Sequence, residues 1–187
     1  MSVILPKTLI RSDEVVSQPF FFLAGPVLGG GDWQHTMYQA LAERLGEDNF
    51  VAAIPCRYEN NHPLVARQLS GGEFFSRQLL WERHYLAVAA QSPCLRSCII
   101  FWLPCESKTC PRTDGQSYAR DTRGELGEWR GRMMHDKAIR LVIGAEPDFP
   151  GLNQIQENFK RALGVPSFTI YNSIPEVVQR ASEIVLV

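Results

Sequence analysis

Most of the features that assign a protein at a glance are missing from this chain. It carries 19 basic and 20 acidic side chains in 187 residues, a formal net charge of -1. So even a balance gives no long-range field toward a nucleic-acid polymer or a charged membrane surface, and neither is expected as a partner. No apolar run reaches the roughly 20 residues that a spanning helix needs. The first ten residues are interrupted by Pro6 and Lys7 and lack both a basic start and a signal-like apolar stretch. A cytoplasmic location is the expectation. Cysteine is sparse and odd in number, at five. Cys94, Cys98, Cys105 and Cys110 cluster loosely, yet none forms a Cys-x-x-Cys pair and no histidine stands at partner spacing. Reduced thiols are expected, and no metal. His35, His62, His84 and His135 form no recognisable catalytic set in the linear text. There is no Gly-x-Gly-x-x-Gly, no phosphate loop with its lysine and no Gly-x-Ser-x-Gly elbow, which argues against a serine hydrolase. Repeats and low-complexity tracts are also absent.

What is present is an alternation of short apolar runs with longer amphipathic ones. That alternation predicts an α/β chain with a parallel sheet. Residues 1–187 are long enough for one good core and too short for two ordinary domains, so a single domain is expected. Phe20–Ala24 reads as a strand buried on both faces, ended by Gly25-Pro26. A helix over Trp33 to about Leu45 follows, with Asp32 as its N-cap. Further strands are expected at Phe50–Ile54, Cys98–Leu103, Ile139–Ile143 and Ser167–Tyr171. Helices are expected at Phe74–Ala90, from Thr122 to about Met134, at Gln154–Leu163 and at Ile174–Ile184. Arg57–Gly72 reads as a loop, as does the stretch from Cys105 to Asp121, which is long enough to suggest function or mobility. Five strands alternating with helices predict a flavodoxin-like doubly wound sheet with helices on both faces. Ligands in such folds sit beyond the carboxyl ends of the strands.

Three segments at that edge could carry chemistry. The turn Gly25-Pro26-Val27-Leu28-Gly29-Gly30-Gly31-Asp32 follows a strand and opens a helix, so its N–H groups can approach a ligand; it serves equally as a flexible turn. Trp33 beside it is the tryptophan best placed to stack on a base. Thr122-Arg123-Gly124-Glu125 has the spacing of a capping box, in which Glu125 only reaches back to the Thr122 N–H. The same geometry would keep Glu125 ionised through the helix dipole, ready to attack an anomeric carbon, while Gly124 and Gly127 let a sugar approach. Glu82 shares a helical stripe with Phe75, Leu79 and Leu86. A carboxylate there is costly unless paired, either as a proton donor of raised pKa or in an ion pair with Arg77, Arg83 or an arginine elsewhere. Arg123, within the basic stretch Arg112–Arg132, could bind an anion or simply lie on a solvated face.

Taken in order, Phe21-Phe22-Leu23-Ala24-Gly25-Pro26, Trp81-Glu82, Phe101-Trp102-Leu103-Pro104 and Glu125-Leu126-Gly127-Glu128-Trp129 resemble the nucleoside 2-deoxyribosyltransferase superfamily, above all its 2-deoxyribosyltransferase-like branch. The resemblance spans roughly residues 20 to 145. It implies a flavodoxin-like fold, a homodimer or higher homo-oligomer, and Glu125 as the nucleophile of the Glu-Leu-Gly motif. It also implies an acidic partner at Glu82, where better-known members carry Asp, and a first loop lying against the sugar or its 5'-phosphate. That assigns Glu125 and Glu82 as catalytic, and Gly25, Pro26, Gly29, Gly30, Asp32, Trp33, Arg123 and Gly124 as substrate-binding. Three features depart from the family: Asp121 is near, but not at, the spacing of the base-recognising Asp, the loop from Cys105 to Asp121 is longer than expected, and no C-terminal aromatic can be matched. The expected function is cleavage or exchange of the N-glycosidic bond of a (deoxy)nucleoside or nucleotide through a covalent glycosyl–Glu intermediate, without metal or cofactor. The alternatives are a non-catalytic sensor of nucleotide or ADP-ribose-like ligands on the same fold, an FMN-binding flavodoxin-like protein, or an interaction module.

Overall fold

The computed structural model describes residues 2–10, 18–90 and 96–186. Cys94 therefore lies outside the described residues. The strands are β1 (Val3–Ile4), β2 (Thr8–Leu9), β3 (Phe20–Ala24), β4 (Val51–Ala53), β5 (Glu73–Phe74), β6 (Ser97–Leu103) and β7 (Leu141–Ala145). The helices are α1 (Trp33–Leu45), α2 (Gln78–Ala90), α3 (Arg120–His135), α4 (Leu152–Leu163) and α5 (Ile174–Leu186). Five strands form one sheet in the order β1-β4-β3-β6-β7, every pair of it parallel. This is the expected flavodoxin-like α/β architecture.

The apolar runs follow from burial on both faces. Alternate side chains of β3 feed two cores: Phe20, Phe22 and Ala24 face α2, α3 and α4, while Phe21 and Leu23 face α1 and α5. β6 divides in the same way, with Ile99, Phe101 and Leu103 on one side and Cys98, Ile100 and Trp102 on the other. A strand with no solvent face has no position for a polar side chain, so its text is continuously apolar. In α1 the buried stripe Trp33, Met37, Tyr38 and Leu41 has helical spacing, and Gly46 ends the helix at φ 86°.

Several elements differ from the sequence expectation; β7 lies two residues on, at Leu141–Ala145, and α4 begins at Leu152 rather than Gln154. The second helix starts at Gln78 rather than Phe74, because Glu73 and Phe74 pair antiparallel with Leu9 and Thr8. Its inward stripe is Trp81, Tyr85 and Ala89, packed against Phe20 and Phe22, whereas Leu79 is 61% exposed. Glu82 is thus one position off the core stripe, at its margin. The third helix starts at Arg120, two residues early. Ser167–Tyr171 is not a strand; only Tyr171 bridges to Gly144, while Phe168 and Ile170 turn onto the core. The fifth strand of the sheet is instead Val3–Ile4, which pairs with Ala52 and Ala53. The loop 57–72 holds a 3-10 turn at Val65–Arg67.

The chain steps from β3 outward to β4, then returns to the other side of β3 to lay down β6. This reversal opens a crevice between the carboxyl ends of β3 and β6.

Candidate functional site

A cavity of about 560 Å³ occupies that crevice. Its floor is Phe22 and Ala24 of β3. One wall is Gly25–Leu28, from the β3–α1 loop, and a second is Pro55, Cys56 and Arg57, beyond β4. The remaining walls are Gln78 and Glu82 from α2, Arg112 and Ala119 from the long loop after β6, and Asp121, Thr122 and Glu125 from α3. Its size suits a small organic molecule.

Glu125 does not cap its helix. α3 begins at Arg120, with Ala119 in the left-handed conformation at its N-cap (φ 56°), and no side chain caps it. Thr122 is buried inside the first turn at 4% exposure. Glu125 is thereby placed in the second turn, beyond the reach of the helix's free N–H groups, where the dipole has largely faded. The capping-box reading fails, and so does the expectation that the dipole holds this carboxylate ionised. Burial wins: desolvation, reinforced by Glu82, Asp121 and Glu128, pushes the Glu125 pKa up to about 7.

Glu82 faces the same space from α2. It accepts a hydrogen bond from Gln78 Nε2 at 2.9 Å, and Gln78 also donates to the Pro55 carbonyl at 3.0 Å. Burial raises the Glu82 pKa; the Gln78 hydrogen bond and the Arg57 charge pull it back, and Asp121 adds to the rise. The cation acting on Glu82 is thus Arg57, not the neighbouring Arg77 or Arg83. Two carboxyl groups from separate helices, both reluctant to ionise, look into one apolar-floored cavity.

The other expected site residues divide. Gly25 and Pro26 line the cavity. A Cβ at Gly25 (φ 152°) would run into the Trp102 carbonyl oxygen and the Trp33 ring, so only glycine lets the loop lie this close to β6. Gly29 and Gly30 lie behind this wall: Gly29 packs on Arg112 and Tyr118, and Gly30 on the Pro26 carbonyl. Trp33 does not offer a stacking face. It is 5% exposed, and its indole N–H donates to the Pro26 carbonyl at 2.8 Å, holding the loop from beneath. Asp32 makes no side-chain cap. Its carboxylate meets His62 Nε2 at 3.1 Å and His35 Nδ1 at 3.5 Å, away from the cavity lining. Arg123 points toward α4, donating to the Pro150 carbonyl at 2.6 Å with its guanidinium over the Phe149 ring. A Cβ at Gly124 or Gly127 would meet no other protein atom within 4 Å, so neither glycine is required by the packing of the fold itself.

Arg57, Gln78, Arg112 and Asp121 are cavity residues that sequence reasoning did not assign as site residues. Arg57 had a usable signal, because it follows the end of β4 by a few residues at the ligand edge. Arg112 had none. It reaches the cavity only because the loop after β6 folds back, with Ser107 N–H donating to the Gly29 carbonyl at 2.7 Å and Tyr118 Oη to the Pro104 carbonyl at 2.8 Å. Arg112 itself is held by Asp114, with Nε at 2.6 Å and Nη2 at 2.9 Å. Its charge is largely answered inside its own loop. With Glu82, Glu125 and Asp121 set against Arg57, the carboxyl side of the cavity favours a group that gains positive charge.

Set against protein-family models and curated proteins, the chain matches none of them.

Proposed function

We propose that this protein cleaves or exchanges the N-glycosidic bond of a (deoxy)nucleoside or nucleotide, with Glu125 as nucleophile and Glu82 as proton donor. The observation that carries the reading is the pair of half-buried carboxyl groups from α2 and α3 facing one cavity at the sheet's switch point. A C–N glycosidic bond breaks through an oxocarbenium-like transition state, whose positive charge is stabilised by flanking carboxylates. The resemblance of the Glu125-Leu126-Gly127 segment to deoxyribosyltransferases points to the same bond.

In the proposed reaction the ionised Glu125 attacks C1' and forms the C1'–O bond. The C1'–N bond breaks, its electron pair leaves with the base, and Glu82 supplies the proton the base needs. In the second half Glu82, now ionised, takes a proton from water, or from the N–H of an incoming base, as that group attacks C1' and releases Glu125. Glu125 carries the larger rise of the two, so the assignment of roles rests on the resemblance of the Glu125-Leu126-Gly127 segment, and the raised pair itself means only that one carboxyl group can hold a proton while the other is ionised. The exposed Phe74, Leu79 and Leu80 near the start of α2 offer an apolar surface for the homo-oligomer the resemblance implies.

The test is incubation with nucleosides, nucleotides and NAD, with and without an acceptor base, followed by mass spectrometry for released base. Acid quench during turnover should trap a glycosyl mass increment on the peptide holding Glu125. Tight binding of a nucleotide with no base released would replace this reading with the sensor.

A further inference from the structure

A second cluster forms on the outer side of the same two loops. Asp32 and His35 come from the start of α1, and His62 comes from the loop between β4 and β5, 30 residues beyond Asp32 in the sequence. In the fold their donor atoms lie within 4.8 Å of one another. Asp32 Oδ2 is 3.1 Å from His62 Nε2 and 3.5 Å from His35 Nδ1. A tetrahedral metal with ligands at about 2.0–2.1 Å separates neighbouring donors by about 3.4 Å. Two of the three donor separations therefore already have the spacing of a tetrahedral site. The rings of His35 and His62 meet edge to face at 5.1 Å between centroids, so both can point nitrogens into a common space.

The surroundings fix this arrangement. Tyr58 stacks on His62 at 3.8 Å with the planes 10° apart, which sets the imidazole's orientation. The Tyr58 hydroxyl is buried beside the Cys56 thiol and the Asp32 carboxylate, close enough to interact with both although it completes no hydrogen bond of good geometry among the described residues. The imidazoles are mostly covered, with side chains 22% and 18% exposed, while Asp32 is half exposed and leaves one side open. One contact opposes a metal: the Leu64 N–H donates to His62 Nδ1, but at 3.3 Å it is a long bond to give up when the proton moves to Nδ1.

We propose that Asp32, His35 and His62 bind a borderline divalent cation of the zinc class, with water in the remaining position. Two imidazoles and one carboxylate suit Zn²⁺ over Mg²⁺, which demands octahedral oxygen ligation. The ion clips the β3–α1 loop to the loop after β4, and these loops supply two walls of the cavity. The site stands apart from the carboxyl pair and does not depend on the proposed glycosidic chemistry.

The test uses the full chain, freed of metal by a chelator and titrated with Co²⁺ as a visible probe, then Zn²⁺. One Co²⁺ per chain is expected, giving the visible bands of a low-coordinate nitrogen–oxygen site with no near-ultraviolet thiolate band, and displaced by one equivalent of Zn²⁺. Zn²⁺ should raise the melting midpoint and Mg²⁺ should not. Asp32→Asn and His62→Asn should each weaken Co²⁺ binding at least tenfold, while His84→Gln and Glu125→Gln leave it intact. The metal-free midpoint of each variant shows whether it folds. Asp32→Asn keeps the side chain's size and decides the matter if His62→Asn does not fold. Wild-type protein with no Co²⁺ spectrum and no Zn²⁺-dependent midpoint overturns the proposal. So does binding that survives Asp32→Asn, or a thiolate band that vanishes in Cys110→Ser.

Discussion

Asp32 and Glu125 are both acidic residues near the start of a helix on the ligand edge of one sheet, yet the fold treats them oppositely. Asp32 stands half exposed, shared between two imidazoles. Glu125 looks into an apolar-floored cavity, and its strongest charged influence is another carboxyl group, Glu82. The first carboxylate is satisfied by partners. The second is left with burial and like charge, and its pKa climbs to about 7. Sequence position at a helix start does not decide a carboxylate's state; what stands opposite it does. A group kept short of partners is the one free to react.

The largest effect that could break this contrast is on turnover. Glu125→Gln should lower kcat by at least about a thousandfold in the base-release assay, since the amide cannot form the glycosyl ester. Turnover within tenfold of wild type would remove Glu125 as nucleophile. Glu82→Gln should cost about a hundredfold, with the smallest loss for substrates whose base leaves readily. A uniform loss across bases would point instead to sugar positioning.

Stability offers an independent measure. Gly25→Ala should destabilise the fold by about 2–3 kcal/mol in urea melts, because the Trp102 carbonyl and the Trp33 ring occupy the space a methyl needs. Glu125→Gln should do the reverse above neutrality. The folded pKa of about 7 lies above the ordinary 4.5, so between those values the folded chain holds a proton that the unfolded chain has released. Stability then falls as pH rises through that window, and the full penalty is present above pH 7. Removing the charge should add about 2 kcal/mol at pH 8, a figure discounted for the cavity's opening to solvent, and almost nothing at pH 4. Equal melts at both pH values would mean that Glu125 is solvated after all.

The smallest effect is also the sharpest. If Glu125 must be ionised to attack while Glu82 keeps its proton, kcat/KM should rise with pH through an inflection near 7 and fall again as Glu82 ionises, and Glu82→Gln should abolish the falling limb. Glu82→Gln removes the largest charged cause of the raised pKa, so the residual activity should show its inflection at lower pH. A profile that instead falls through pH 7 would make Glu125 the acid and exchange the two roles.

Much of the scaffold could be read without coordinates. Phe20–Ala24 and Cys98–Leu103 announce themselves because strands covered on both faces have no polar position to fill. The residue-level reading was weaker where two local rules compete. Thr122-x-x-Glu125 satisfies the capping-box spacing, but the helix begins two residues earlier at Arg120, and the motif loses its meaning. Phe75, Leu79 and Leu86 have helical spacing, yet the expected first residue of that helix, Phe74, joins an antiparallel ribbon with Thr8, and Leu79 faces outward. Ser167–Tyr171 alternates like a strand, but only one of its residues reaches the sheet. Trp33 stands next to a glycine-rich turn and was the natural stacking candidate, but the turn folds over it.

By itself the sequence determined the α/β class and the parallel sheet, while the two acidic residues came forward through the family resemblance. The class and the sheet follow from local patterns, because hydrophobic periodicity and strand-ending glycine and proline act over a few residues. Only the tertiary structure decided that Glu82 and Glu125 share a cavity, that Arg57 and Arg112 join them, and that Asp32, His35 and His62 converge. Such meetings depend on where loops return across the sheet, and no spacing along the chain encodes the distance between two loops.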